Sequence, residues 1–140
     1  MGILRESSLT LRFFGDDLIP SEVTKALGSR PTTAAAKGEE YSGAGGGAQK
    51  AHTGMWRLST ERRQPGDLDV QIKELLSTLT GDLCVWKKLT AKFDSDLFCG
   101  LWLEGFNSGQ PLQASTLRLI ADRSLNLDLD IYGDSEQETD

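Results

Sequence analysis

The sequence predicts an α+β domain from three of its patterns. Period-two alternation at residues 8–14, where Leu9, Leu11 and Phe13 oppose Thr10, Arg12 and Phe14, marks a half-buried strand. Leu68, Ile72, Leu75, Leu76 and Leu79 recur at helical spacing behind Asp67, a favoured N-cap, and mark an amphipathic helix. The last third, residues 96–133, runs from a dense apolar stretch (97–103) through a Gly/Asn turn and an amphipathic segment (114–122) to strict alternation at Leu125, Leu127, Leu129 and Ile131. That is a strand–helix–strand unit whose two strands are expected to be parallel. The whole chain then reads strand, helix, strand, two helices, strand, helix, strand. Without the helical pair this is a ferredoxin-like βαβ–βαβ order. It predicts a four-stranded, mostly antiparallel sheet with helices on one face.

The remaining elements follow in order. After the first strand, Pro20 suits a first helical turn, Val23, Ala26 and Leu27 form a short apolar face, and Gly28 is placed to end the helix. Residues 33–52 hold few large apolar groups and many glycines, and read as a flexible Gly-rich loop. The string from Gly43 to Ala48 resembles a dinucleotide fingerprint, but lacks the hydrophobic strand before it and the helix after it that such a site requires. Residues 53–60 read as the second strand, with Trp56 and Leu58 on one side and Met55, Arg57 and Ser59 on the other. Residues 83–93 satisfy both patterns, with Leu83, Trp86, Leu89 and Phe93 favouring helix. The domain is expected to span residues 1–134, followed by an acidic tail at 135–140.

Charge narrows the function classes. Fifteen Lys and Arg against 21 Asp and Glu give a net charge of -6. Such a surface is repelled by phosphate backbones and anionic membranes, so no nucleic-acid or membrane partner is expected. Sheet aromatics also occur in RNA-binding domains, but the basic aromatic signature strings are missing. No stretch approaches roughly 18 apolar residues, the length needed to span a bilayer as a helix. The N-terminal segment lacks the features of a secretory signal. Cys84 and Cys99 have no partners at metal spacing, and their apolar surroundings predict reduced core thiols in a cytoplasmic protein.

Several landmarks along residues 8–133 occur in an ordered series. They are Asp17-Leu18-Ile19-Pro20 with Val23 and Leu27-Gly28, then Arg30-Pro31-Thr32 and Lys37-Gly38-Glu39, then Met55-Trp56, the leucine-rich helix from Asp67, and the closing Leu127-Asp128-Leu129-Asp130-Ile131-Tyr132. In this series the chain resembles the domain of unknown function 4279 family, small stand-alone bacterial proteins of unassigned activity. The resemblance implies no catalytic residues, because the family has none assigned.

No catalytic constellation is recognisable in the residues themselves. His52 is the one histidine and sits beside the Gly-rich loop, so neither a Ser-His-Asp nor a Cys-His arrangement can be assembled, and no zinc or cofactor motif is present. Asp128 and Asp130 share one strand face about 7 Å apart, a spacing that suits acid–base work or a hard cation, although a solvated polar face is the ordinary explanation. The sheet face opposite the helices is expected to carry Arg12, Phe14, Trp102, Asp128, Asp130 and Tyr132. Aromatics mixed with charges have the composition of a protein interface. The leading reading is therefore a non-enzymatic, protein-binding domain, self-associating or of an inhibitor or immunity type. The alternative is a small-molecule or anion-binding protein, or a weak hydrolase, with Lys37 and Trp56 forming a pocket against the Asp128/Asp130 face. Convergence of Lys37 and Asp130 in space discriminates the two.

Overall fold

The computed structural model describes residues 2–43 and 45–133. The expected acidic tail lies outside these residues. The elements are β1 (Gly2–Ile3), β2 (Glu6–Gly15), α1 (Pro20–Leu27), β3 (Thr33–Ala35), β4 (Glu40–Ser42), β5 (Ala48–Lys50), β6 (Gly54–Ser59), α2 (Leu68–Ser77), α3 (Leu83–Lys92), β7 (Asp94–Trp102), β8 (Ser108–Gly109), α4 (Ala114–Asp122) and β9 (Asn126–Tyr132). The main sheet has five strands in the order β3-β6-β2-β7-β9.

Local sequence sets the ends of these elements. Pro20 fills the first turn of α1, where its missing N–H is not needed. Gly28 ends that helix in the left-handed region at φ 80° and donates its N–H to the Thr24 carbonyl at 2.9 Å. The Asp67 carboxylate accepts from the Val70 N–H at 3.2 Å and caps α2. The Asp82 carboxylate caps α3 through the Cys84 N–H at 3.0 Å, so the ambiguous stretch 83–93 is a helix through Lys92. α2 stops at Ser77, with Thr78 as its C-cap.

The closing strand–helix–strand unit forms as expected, with β7 and β9 as parallel neighbours from Asp96↔Asn126 to Trp102↔Tyr132. The ferredoxin-like order does not form. That arrangement splits its strand–helix–strand units, whereas here β7 lies directly against β9. The first unit also differs, because β6 runs antiparallel to β2 (Thr10↔Ser59 to Gly15↔Gly54). The reason lies in residues 33–52. Instead of an unstructured loop, they add β3 to the sheet edge and form the β4–β5 hairpin before the chain enters β6. The glycine string makes the turn of that hairpin, closed by the Gly43 N–H on the Gly47 carbonyl at 2.8 Å.

The core lies on one side of the sheet. Leu9, Leu11, Phe13, Trp56, Leu97, Cys99 and Leu101 pack against α1, α2, α3 and α4 in one continuous cluster. A few residues on the opposite side of the sheet (Ala35, Ala51 and Met55, with Phe14 and Tyr41 beside them) form a second, small cluster. That cluster attaches the hairpin segment to the sheet.

Candidate functional site

Strand register decides which of the expected site residues meet. Arg12 pairs with Asp96 and Arg57, Thr10 with Phe98, and Phe98 in turn with Asp128. Glu6 pairs with Trp102, which pairs with Tyr132. Since alternate side chains of a strand share a face, Arg12, Phe14, Phe98, Trp102, Asp128, Asp130 and Tyr132 all project from the face opposite the helices.

At one end of this face, the Trp102 and Tyr132 rings stack with centroids 5.0 Å apart and an 8° angle between planes. The Arg62 guanidinium lies over Trp102 at 4.5 Å from the ring centroid. Gly100 makes room for this arrangement. A Cβ there would come within 2.7 Å of the Trp102 indole. The Tyr132 hydroxyl donates to Asp130 at 2.6 Å, and this bond to the neighbouring carboxylate raises the phenol's pKa.

In the middle of the face, the Arg12 guanidinium donates from Nε to Asp96 Oδ1 at 2.8 Å and from Nη2 to Asp96 Oδ2 at 2.5 Å. It also lies 3.7 Å from the Asp128 carboxylate and covers the Phe98 ring at 4.3 Å. The bond to Asp96 raises Arg12's pKa despite the opposing effect of burial. Asp128 and Asp130 thus sit in different settings, one facing an arginine and the other bonded by a tyrosine.

At the other end, the β4–β5 hairpin and the sheet face wall a cleft of about 590 Å³. Arg57, Thr10, Thr33, Tyr41, Gln49 and Phe98 are among the residues that line it. Arg57 lies opposite Arg12 in register, and its guanidinium lies 5.5 Å from the Phe14 ring centroid. Its buried Nε has no acceptor among the described residues.

Lys37 and Trp56 do not form a pocket with the carboxylates. Trp56 is fully buried in the core, edge-on to Phe13 at 6.0 Å, and donates from Nε1 to the Thr24 hydroxyl at 3.0 Å. Lys37 is exposed and pairs with Asp16 at 3.2 Å. That contact and the Thr53 side chain lower the Asp16 pKa, the Thr53 hydrogen bond most. Lys37 follows β3 at one edge of the sheet, and Asp130 lies on β9 at the other. Four strand spacings, roughly 19 Å, separate them before any offset along the strands.

The hydrophobic pattern mispredicted three other positions. Leu129 and Ile131, expected under the helices, are 44% and 57% exposed, while Leu125 is buried and Leu127 packs against the core. Cys84, expected in the core, is exposed on α3, whereas Cys99 is buried. Arg62 and Gln49 of the site were not anticipated. Both lie in segments without apolar periodicity, and only tertiary packing brings them to this face.

Among the described residues, no group of three or more His, Cys, Asp or Glu side chains is gathered to hold a metal ion. No helix there is long and apolar enough to cross a membrane. No curated protein and no solved structure matches the chain. One family model, described as a domain of unknown function, matches residues 5–134, nearly the whole length. The landmarks from Asp17 to Tyr132 fall within that match, and the chain belongs to the DUF4279 family.

Proposed function

We propose that this domain is a binding module that pairs the outer edge of β9 with an extended, basic segment of another protein. The observation that carries this reading is the state of β9. It is the last strand of the sheet, seven residues long, and Leu129, Ile131 and Tyr132 are all substantially exposed along it. A strand edge presents unpaired N–H and C=O groups, and natural proteins usually blunt or cover such edges. An incoming strand supplies the missing hydrogen bonds and places its side chains alternately on the two faces.

The chemistry of β9 selects the partner. One face offers Leu129 and Ile131, and the other offers Asp128, Asp130 and the Tyr132 ring. A segment alternating apolar and basic residues complements both. A second copy of this chain fits less well. Antiparallel pairing centred on Leu129 sets Asp128 of one copy against Asp130 of the other, and like charges directly opposite are destabilising. The net charge of -6 favours the same kind of partner by steering basic segments toward the domain. Inhibition of a basic protein is one form this activity takes.

The test uses a labelled synthetic peptide of alternating Lys and Val, with a Glu/Val peptide as control. Fluorescence anisotropy reads affinity, and hydrogen exchange reads protection of the β9 amides. The Lys/Val peptide is expected to bind, to protect β9 and to weaken with added salt or in the Asp128→Asn/Asp130→Asn variant. Equal binding of the two peptides, or binding without β9 protection, would sink the reading. So would a dimer in light scattering whose interface occupies β9.

A further inference from the structure

Arg57 is out of balance with its surroundings. The domain is acidic overall, yet the cleft beneath the β4–β5 hairpin is lined by two arginines and by no carboxylate. The two lie directly opposite each other on β2 and β6, an arrangement that costs stability unless counter-charges are near. Arg12 has its counter-charge in Asp96 and Asp128. Arg57 has none within ion-pair distance among the described residues, and its Nε is buried with no acceptor. A guanidinium without a counter-charge, at the wall of a cleft, is a natural receptor for an anionic group.

We propose that this cleft binds a small organic molecule through an oxyanion, a carboxylate or a phosphate, held by the guanidinium fork of Arg57. A planar guanidinium matches both groups with paired N–H donors. The volume of about 590 Å³ falls within the usual range of small-molecule sites, about 300–1,000 Å³, and exceeds what an inorganic ion needs. The surrounding groups suit the rest of such a ligand. The hydroxyls of Thr10 and Ser59 lie 2.9 Å apart at the rim, and the Tyr41 hydroxyl donates to Gln49 Oε1 at 3.0 Å, with the Phe98 ring on the sheet side. The site is separate from the outer edge of β9 and stands independently of the peptide-binding reading.

Calorimetric titration of the full chain with phenyl phosphate, benzoate and inorganic phosphate tests the proposal. At least one organic oxyanion is expected to bind saturably with one site per chain. Arg57→Gln is expected to weaken it by about tenfold or more. Arg57→Lys, which keeps the charge and loses the fork, falls between, and Tyr132→Phe at the far end of the face leaves it unchanged. Tighter binding of phenyl phosphate assigns the site to phosphorylated ligands, and tighter binding of benzoate assigns it to carboxylic acids. A melting temperature for unliganded Arg57→Gln at or above that of the wild type confirms that the fold does not need this side chain. No binding of either organic oxyanion at millimolar concentration overturns the proposal. Undiminished binding to Arg57→Gln, or inorganic phosphate binding as tightly as phenyl phosphate, does so equally.

Discussion

Replacing Gln71 with leucine is expected to destabilise the domain by about 2 kcal/mol, because it leaves buried polar groups without partners. Gln71 is 1% exposed on α2, and Ser7 on β2 is fully buried. The Ser7 hydroxyl donates to Gln71 Oε1 at 2.5 Å, and Gln71 Nε2 donates to the carbonyls of Glu61 at 3.1 Å and Ser7 at 3.2 Å. Leucine removes all of these bonds at once. The Ser7 carbonyl keeps the Arg63 N–H at 2.9 Å, so the main loss is the Ser7 hydroxyl donor, worth about 1–3 kcal/mol when buried and unpaired. The Glu61 carbonyl adds to that loss, and the extra apolar burial of leucine offsets part of it. With an unfolding entropy of about 2.1 cal/mol/K per residue, a loss of about 2 kcal/mol lowers Tm by about 7 °C in a chain of 140 residues. Urea denaturation of wild type, Gln71→Leu, Ser7→Ala and the double variant measures the coupling directly. Ser7→Ala also removes the acceptor of the Asp67 N–H, so its own cost is not zero. The two substitutions are expected to couple by about 1 kcal/mol, since each removes the other's partner. A Gln71→Leu variant within about 0.5 kcal/mol of wild type, or strictly additive effects, would refute the reasoning. The same network fixes the 60–63 segment, from which Arg62 reaches Trp102, so the near-UV signal of that ring is expected to change as well.

Three further outcomes are expected. Gly100→Ala forces the Trp102 indole off its 2.7 Å approach, breaks the stack on Tyr132, and costs about 1–3 kcal/mol with altered tryptophan fluorescence; unchanged fluorescence would rule out the ring placement. Burial pushes the Asp69 carboxyl pKa up, but the Gln113 N–H bond at 2.9 Å, the nearby Thr116 and the Lys73 ammonium at 3.4 Å more than offset this and lower it. Its stabilisation is therefore complete above the ordinary carboxylate value of about 3.9 and is lost as pH falls through the depressed folded value. The stability gap between wild type and Asp69→Asn, followed by urea titration, is expected to close over that acid range. A thiol reagent is expected to label one cysteine in the native protein and two in denaturant. Cys84 is exposed, whereas burial, helped by Asp96 and Asp128, pushes the Cys99 thiol up to about 12.

The sequence was a good guide wherever the rule is local. The pleat of a strand fixes side-chain alternation, so the division of β2, β6 and β7 into a core face and an open face was readable from residues 8–14, 53–60 and 97–103. The same rule placed Arg12, Phe14, Trp102, Asp128, Asp130 and Tyr132 together, because each lies at an outward position of its strand. Capping chemistry at Asp67, Pro20 and Gly28 located the ends of helices for the same reason. The alternation in β9 marks a strand but overstates burial, since Leu129 and Ile131 repeat at the core period yet are exposed on the edge strand.

What the sequence determined alone was the four helices and the four long strands β2, β6, β7 and β9, the parallel pairing of β7 with β9, and the face on which the polar and aromatic residues emerge. Only the tertiary structure decided the strand order, the exposure of the outer edge of β9, the burial of Trp56 far from Lys37, and the hairpin that walls the Arg57 cleft. The physical reason is that alternation and capping act over a few residues, whereas strand order and ion-pair choice depend on contacts between distant segments. Nothing in the neighbourhood of Arg57 in the sequence distinguishes it from Arg12. The difference arises because β7 and β9 bring Asp96 and Asp128 to one of them and not to the other.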